Sequence, residues 1–415
     1  HGSDLSAEAI RCVGEQLTDF LAERLQDESE PEPPLQEWID LFFHRFELPF
    51  SPTNGVHRLD SVNWLAAYEH ARRIIIATEM GHQTVAHPSH RGRVCPVMVP
   101  EGPNLDRILS ITRGGAIRDS KIIPVPRGGP DAFSLTLNCI PLANHSDNNR
   151  LLMGANMMRQ WLPRQNPEPA LVQTGAEPEH DAFWCGCNLK TAFVSAGADT
   201  FEDGLVISES AARHLGEDRP VEVGDKLSNR HGSKGVISRL LPDVEMPQLP
   251  DGSTVDLIFS FIGQHARLNL GQIKEACLGN VAAATGQPVV IPPLTPVPSD
   301  ALRRRLKEAG LDESGMARLR WPDTRRETNQ PVTVGMVYWG LTYHRSRQKL
   351  KVGTHPHRSR SYVDPGAAGV LLGLGCEAIL ADLLNGPSRA PGERKAWQIH
   401  RRLFAVGIQL SYTDA

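Results

Sequence analysis

The stretch from residue 224 to residue 235 combines basic side chains with glycines at a spacing that could bind an anion. It reads GDKLSNRHGSKG, with Lys226 and Lys234 eight positions apart and Arg230 and His231 between them. Lysine offers a compact positive charge on a mobile stem, and glycine lets the backbone pass close to a ligand. These residue types favour a phosphate cradle, although the Gly-Lys-Ser/Thr run of a P-loop is missing. A solvated hairpin is the alternative that the residues alone leave open.

The composition is typical of a globular, loop-rich protein of the α+β or β-rich class. The chain has 415 residues, of which 40% are hydrophobic and 22% charged, and it contains 36 glycines and 32 prolines. This length favours two or three domains. The formal net charge of −4 offers no basic surplus, so a nucleic-acid surface would have to be a local patch. No apolar run is long enough to span a membrane, and we expect a cytoplasmic location.

The seven cysteines are scattered along the chain. Cys185 and Cys187 form the only close pair, and a second pair at the spacing of a zinc finger is missing. We therefore interpret the cysteines as buried thiols. A metal site at the close pair is the less favoured alternative.

The regions around the basic stretch contain simple helical patterns. Residues 4–26 place apolar side chains three to five positions apart, which predicts an amphipathic helix. The acidic, proline-rich run DESEPEPP ends this helix, and LQEWIDLFFHRF repeats the pattern. The run SDALRRRLKEAG predicts a further helix near residue 300, and apolar runs rich in Val, Ile and Gly predict short strands.

The order of residues in the basic stretch is more specific than their types. The run GDKLSNRHGSKGVISRLLPDVEMPQLPDGSTVDLIFS resembles the active-centre segment of the β subunit of bacterial-type multisubunit DNA-dependent RNA polymerases. Further runs resemble the same family in the same order along the chain: HRLDSVNWLAAYEHARRI, AHPSHRGRVCPVMVPEGPNL, ANHSDNNRLLMGANMMRQWLP and FIGQHARLNLGQIKEACLG. The resemblance extends from residue 57 to about residue 350.

The resemblance implies an α+β fold with a six-stranded double-psi β-barrel, flanked by mixed α/β and helical segments. The barrel is expected from segments 183–208 and 221–342. The implied division is a helical segment over 4–56, a fork and RNA-path region with a shortened lobe over 57–180, the barrel over 181–345, and a diverged helical region over 346–415.

Departures from the family pattern have consequences. Asp203 and Asp225 are only 22 positions apart, whereas the family carries a large insertion here, the flap, which docks the promoter-recognition factor. We therefore expect no flap-mediated docking of such a factor. His57 and Ile75 stand where the family usually has Gln and Ser, so we expect an altered rifamycin pocket.

The resemblance assigns roles to particular residues. Lys226 and Lys234 match the catalytic lysines, and Arg150 and Arg267 match arginines that bind the phosphates of the incoming nucleoside triphosphate. The residues implied in contacts with RNA or DNA are Arg159, Gln160, Asn104, Arg73 and His344. The pair Glu202 and Asp203 matches carboxylates near the second magnesium ion. Three methionines at helical spacing, Met153, Met157 and Met158, are interpreted as core.

In this family a β′ partner supplies three aspartates that hold catalytic magnesium, and this sequence contains no such triad. We therefore expect a nucleotidyltransferase that is active only with a β′-like partner, with Mg²⁺ held mainly by that partner and with DNA template, RNA transcript and nucleotides as ligands. The alternative is a catalytically inactive paralogue that binds nucleic acid or polymerase subunits. A third reading is a metabolic enzyme with a phosphate-binding barrel.

Overall fold

The computed structural model describes most of the chain between residues 108 and 346, together with shorter stretches on either side. The described residues are 4–6, 13–25, 35–47, 59–75, 87–99, 108–126, 128–217, 219–322, 324, 326–346, 371–373 and 375–385. Among them, no helix is both long enough and apolar enough to cross a membrane.

Helices and strands alternate irregularly along the chain. The helices are α1 (Val13–Leu25), α2 (Leu35–Glu47), α3 (Trp64–Ala71), α4 (Leu135–Asn138), α5 (Asn148–Met158), α6 (Glu209–Gly216), α7 (Phe261–Ala266), α8 (Leu270–Thr285), α9 (Ser299–Glu308) and α10 (Glu377–Asn385). The first seven strands are β1 (Arg73–Ile75), β2 (Ile108–Ser110), β3 (Ala116–Arg118), β4 (Lys121–Ile123), β5 (Val172–Gln173), β6 (Gly186–Phe193) and β7 (Gly204–Ser208). The others are β8 (Lys226–Asn229), β9 (Lys234–Leu241), β10 (Leu257–Phe259), β11 (Val289–Val290), β12 (Met316–Ala317) and β13 (Val332–Leu341).

Six of these strands close into a barrel. They follow one another in the order β13, β6, β10, β7, β9 and β8, and β8 pairs back onto β13. Two neighbouring pairs, β6 with β10 and β7 with β9, are parallel, and the other four are antiparallel. The strands lie within the two segments from which a barrel was expected. The α+β fold with a six-stranded barrel of the double-psi type is therefore confirmed.

Alternation along the strands builds the barrel core. In β6, Cys187, Leu189 and Phe193 point into the main core cluster, whereas Asn188 and Lys190 between them are only partly buried. The two-residue period of a strand sends successive side chains to opposite faces. Val337 and Trp339 of β13 join the same cluster. A sheet closed in this way leaves few unpaired edges, so the barrel is a rigid frame for the loops between its strands.

Helices α1, α2 and α9 lie on the three runs that predicted helices, and α2 extends one residue beyond its run. In the first run, residues 4–6 form a turn, so the predicted start of that helix was wrong there, and residues 7–12 and 26 lie outside the described residues. Helix α8 packs along β13, and α5 packs beside β8. These two helices border the turn between β8 and β9, which lies within the basic stretch.

Candidate functional site

Strand register places the two lysines of the basic stretch on the same face of the β8–β9 hairpin. Ser228 lies opposite Lys234, and Lys226 lies opposite Val236. Lys226 and Lys234 are therefore diagonal neighbours, because residues opposite or two apart in antiparallel strands share a face. Both lysines are partly exposed. The eight-residue spacing thus produces a pair of cations on the outside of the barrel.

The turn between the two strands has a tightly specified backbone. The side-chain oxygen of Asn229 accepts hydrogen bonds from the backbone N–H groups of His231 (3.0 Å) and Ser233 (3.1 Å). Gly232 adopts a φ of 76°, and a Cβ there would clash with the carbonyl of Arg150. A Cβ at Gly154 would likewise clash with the turn. Glycine is required at both places for α5 to approach the hairpin.

Arg230 and His231 do not face the same side as the lysines. Both are buried and contact one carboxylate, Glu275 of α8, at 2.5 Å from Arg230 Nη2 and 2.5 Å from His231 Nε2. Burial raises the pKa of Glu275, but the positive charges of Arg230 and His231 outweigh it and hold that pKa at about 2. The interpretation of the whole stretch as a cradle was therefore wrong for these two residues. Their buried side chains instead hold the turn against α8 through Glu275.

A second buried polar cluster fixes the turn to the start of α8. The Asn269 side chain, directly before this helix, donates to the carbonyl of His231 (2.9 Å) and to Ser233 Oγ (3.1 Å). Ser233 Oγ also contacts the amide oxygens of Gln264 (3.0 Å) and Gln272 (2.6 Å). A buried polar group without a hydrogen-bond partner destabilises the folded state. Because other positions of the hairpin would break these bonds, the network favours one geometry of the turn.

A cleft of about 560 Å³ opens beside Lys234. Four residues assigned from the sequence line it: Lys234, Arg73, Arg159 and Gln160. Among the described residues that line it, Asp60 is the one carboxylate, against three cations. The cleft is therefore net positive, which favours an anionic ligand. Of the three methionines interpreted as core, Met157 and Met158 are buried, whereas Met153 is only partly buried; Met153 and Met157 also line the cleft.

Separate elements position the cleft residues. Arg73 begins β1, where it lies opposite Ser110 of β2. Gln160 follows α5, and its carbonyl accepts from the backbone N–H of Tyr343 at 3.0 Å. The carbonyl of Lys226 accepts from the N–H of Thr342 at 3.1 Å, so both segments join the end of β13. Burial lowers the pKa of Arg73, which Asp60 and Glu69 oppose.

Two polar atoms at the cleft are buried without a protein partner. Among the described residues, Arg159 Nε and Gln160 Oε1 make no hydrogen bond. Another nitrogen of the same guanidinium, Arg159 Nη2, donates to Asn156. A buried donor and a buried acceptor left unpaired are costly, unless a ligand or water completes them. Both atoms fit a ligand that offers acceptors and donors along one edge, as a ribose-phosphate chain does.

Arg267 and Asp203 form a two-pronged ion pair. Arg267 Nη1 lies 2.5 Å from Asp203 Oδ1, and Nη2 lies 2.9 Å from Oδ2. Glu202 is exposed and has a φ of 51°. Since both carboxylate oxygens of Asp203 already accept from Arg267, a directly bound magnesium ion fits poorly there. A contact through a metal-bound water, with Glu202 alongside, fits the residues better.

The remaining assigned residues lie around the hairpin or outside the described residues. Arg150 is in the first turn of α5, and its carbonyl faces Gly232. His344 follows Tyr343, a cleft residue, and their rings are 4.3 Å apart. Asn104 lies outside the described residues. The structure thus brings Lys234, Arg73, Arg159 and Gln160 into one cleft and places Lys226 on the adjoining strand.

Sequence reasoning missed the groups that support the lysines. Glu275 was not singled out, although it holds both Arg230 and His231. Its signal was weak, because Glu275 follows Lys274 in a helix of mixed composition, and nothing in the sequence marks that glutamate as buried. The ion pair of Arg267 with Asp203 joins residues 64 positions apart, a separation that no local pattern reveals.

Comparison with known proteins matches two segments of the chain to RNA polymerase families. Residues 211–355 match the model for RNA polymerase Rpb2, domain 6, and residues 57–122 match the model for RNA polymerase Rpb2, domain 3. The first segment contains the hairpin, the buried carboxylate and α8. The second contains Arg73 and Asp60 of the cleft.

Curated relatives carry the name DNA-directed RNA polymerase subunit beta. The protein of Methylacidiphilum infernorum is 36% identical over 157 residues, which are 38% of this chain and 12% of the relative. That of Streptococcus mutans is 34% identical over 164 residues, 40% of this chain and 14% of the relative. That of Solibacter usitatus is 42% identical over 120 residues, 29% of this chain and 8% of the relative.

The matched stretches span between 8% and 14% of the length of these relatives. The segment that matches RNA polymerase Rpb2, domain 6, includes the hairpin, whose two lysines lie on one face, and the relatives agree with the family to which the sequence motifs pointed. The predicted relationship is confirmed over part of the chain: its matched segments are similar to the β subunits of DNA-directed RNA polymerase.

Proposed function

We propose that this chain is the β-like half of a DNA-directed RNA polymerase and works with a metal-bearing, β′-like partner. The observation that carries the proposal is the net positive cleft, lined by Lys234, Arg73, Arg159 and Gln160 beside the lysine hairpin. The homologous relatives support the same role. The reaction is nucleotidyl transfer from a nucleoside triphosphate to the RNA 3′ end.

The division of roles follows from charge and position. Lys226 and Lys234 bind the RNA 3′ end and the nucleotide phosphates, since a compact ammonium neutralises phosphate oxygens from several directions. Arg150 and Arg267 bind the triphosphate. Nucleotidyl transfer depends mainly on positioning and charge neutralisation. These side chains therefore hold the phosphates and stabilise their charge before and during transfer, and they form no covalent bond to the substrate.

Other side chains guide the nucleic acid. Arg159 and Gln160 lie along the nascent RNA, which supplies partners for their unpaired buried atoms. Arg73, Asn104 and His344 contact RNA or template DNA. Magnesium ions, held mainly by the β′-like partner, would activate the 3′ hydroxyl and neutralise the leaving phosphates. Glu202 and Asp203 would approach the second ion through bound water.

The internal connection between α6 and β8 limits how the enzyme is recruited. Only residues 217–225 separate these two elements. We propose that no promoter-recognition factor docks through a flap at this place, and that recruitment uses another surface. We also propose a cytoplasmic location and the four-part division of the chain into residues 4–56, 57–180, 181–345 and 346–415.

Primer extension on an RNA–DNA scaffold tests the proposal. The chain is purified from its own host with whatever copurifies, then mixed with scaffold, Mg²⁺ and nucleotides. We expect extension by the complex and none by this chain alone. A complex that demonstrably contains a β′-like subunit, yet extends no primer, would contradict the proposal and favour a binding paralogue.

The salt dependence of hybrid binding separates the proposed polymerase from a module that only docks onto polymerase subunits. A chain that neutralises several phosphates should bind an RNA–DNA hybrid with an affinity that falls steeply as salt rises. A module that only docks onto polymerase subunits should bind no hybrid at any salt concentration. We expect the steep dependence, measured by fluorescence anisotropy with labelled hybrid.

Arg267→Lys should impair use of nucleotides more than binding of the hybrid. Lysine keeps the charge, but it cannot hold Asp203 with two prongs and offer further N–H donors of a fixed fork to the triphosphate at the same time. A charge-assisted hydrogen bond contributes about 1.5–3 kcal/mol, so we expect the KM for nucleotides to rise about 10-fold or more. Steady-state extension at varied nucleotide concentration measures it. Arg239→Lys is the control, because Arg239 forms an exposed ion pair with Asp199 at 3.0 Å. Equal KM values in both variants would count against a triphosphate contact at Arg267.

A further inference from the structure

Three side chains with metal-binding atoms meet beside the barrel, outside the basic cleft. Glu168 precedes the barrel, Cys187 belongs to β6, and His214 lies in the last turn of α6. Their ligand atoms all lie within 4.8 Å of one another. We propose that Glu168, Cys187 and His214 bind a zinc ion that ties α6 to the barrel wall.

The donor set matches zinc better than the other common divalent ions. One thiolate, one imidazole and one carboxylate are all ordinary zinc ligands, and a thiolate disfavours magnesium and calcium. Ionised Glu168 and Cys187 together neutralise the two positive charges of the ion. Burial raises the pKa of the Cys187 thiol to about 12, so binding releases its proton.

The three ligand atoms need only small shifts to surround a zinc ion. His214 Nε2 already lies 2.8 Å from Glu168 Oε2. Ligand atoms around a tetrahedral zinc ion are roughly 3.3–3.6 Å apart, so the imidazole and carboxylate must separate slightly while the sulfur moves in by about 1 Å. Rotation of the exposed His214 side chain can supply most of this movement.

Hydrogen bonds hold the carboxylate ligand in place before a metal arrives. Glu168 Oε1 accepts from the backbone N–H of Asn188 at 3.1 Å and from its side-chain Nδ2 at 2.6 Å. The carbonyl of Glu168 accepts from the hydroxyl of Tyr338 at 2.8 Å. These bonds leave Oε2 directed at His214. Outer partners of this kind fix ligand orientation in known metal sites.

The surroundings allow an ion to enter. The side chains of His214 and Glu168 are 51% and 31% exposed, whereas Cys187 is buried. Solvent can therefore reach the ion and supply a fourth ligand. The nearby cation, Arg164, lies 3.4 Å from Glu217 and donates to the carbonyl of His214, so its charge is already compensated. Cys185, the other cysteine of the close pair, instead contacts the carbonyl of Ala182.

Metal analysis and cobalt spectroscopy test the site in the full chain. The chelator-treated protein is incubated with Zn²⁺, passed through gel filtration and analysed for bound metal. We expect about one equivalent of zinc per chain. With Co²⁺ instead, we expect a thiolate-to-cobalt charge-transfer band. Zinc should also raise the thermal unfolding temperature.

Matched variants decide whether these residues are the ligands. Cys187→Ser and His214→Ala should lose the bound zinc and the charge-transfer band, whereas Cys185→Ser and His180→Ala should keep both. His214→Ala changes an exposed helical residue, so its fold should survive, which circular dichroism verifies. Zinc retained equally by all four variants, no retained zinc in the parent chain, or a cobalt spectrum without the thiolate band would overturn the proposal.

Discussion

Lys234→Ala should reduce the rate of primer extension by about 100- to 1,000-fold, in line with the loss of one preorganised electrostatic group in other active sites. Lys234 is partly exposed on the barrel surface and lines the cleft, so its removal leaves the core unchanged. Rapid-quench extension with the partner subunit bound measures the effect. We expect Lys226→Ala to act in the same direction.

Lys307→Ala is the matched control for both lysines. Lys307 lies on α9, its side chain is 72% exposed, and it pairs with Glu313 at 3.0 Å. Its removal should leave extension unchanged. Hybrid affinity should fall only slightly in Lys234→Ala, by the share of a single phosphate contact. If Lys234→Ala and Lys307→Ala extend RNA at equal rates, the hairpin lysines are not part of the active centre.

Glu275→Gln should destabilise the fold by about 3–5 kcal/mol, the usual cost of removing one member of a buried ion pair. The variant leaves buried His231 without its carboxylate partner, and it leaves buried Arg230 with Glu177, whose Oε1 lies 4.0 Å from Arg230 Nη1. Urea unfolding followed by circular dichroism measures the change in the free energy of unfolding. Glu308→Gln on the exposed face of α9 is the control and should be neutral. A Glu275→Gln variant as stable as the parent would contradict the anchoring role.

The pKa of Glu275 predicts how the stability of the fold depends on pH. The pKa of Glu275 is about 2 in the folded chain, against an ordinary value of 4.5. A lowered pKa in the folded state stabilises the fold above pH 4.5, and this contribution, about 3 kcal/mol, is lost as pH falls toward 2. The difference in stability between the parent and Glu275→Gln should therefore narrow from about pH 5 to about pH 3. A constant difference over that range would exclude this linkage.

Much of the barrel could be predicted from the sequence, because its strands carry their own signals. Alternation at Cys187, Leu189 and Phe193 marks one face of β6, and the glycines of the basic stretch mark a turn between two strands. The order of the family motifs then fixed which segments contribute strands. Helices α1, α2 and α9 were visible because their apolar residues recur with helical spacing.

The arrangement of the site was less predictable, because it depends on contacts between distant segments. Spacing alone could not show that Lys226 and Lys234 face outward whereas Arg230 and His231 face inward. That difference arises from register and from Glu275, more than 40 residues away. The position of Arg73 in the cleft likewise depends on the pairing of β1 with β2.

The proposed zinc site illustrates the same limit. The spacing of Cys185 and Cys187 drew attention to a pair, but only Cys187 lies beside metal-binding groups. Its partners are 19 residues before it and 27 residues after it in the sequence. Three single residues from three elements form no recognisable motif.

The most direct measurement of the central claim is a crosslink from the RNA 3′ end to the hairpin. RNA with a periodate-oxidised 3′ ribose is bound to the complex on a DNA template, and the amine adduct is fixed by reduction and located by peptide mass spectrometry. We predict adducts at Lys226 or Lys234, and none at Lys190 or Lys307, which serve as internal controls. Adducts spread over all four lysines, or absent from the hairpin while the hybrid remains bound, would contradict the account.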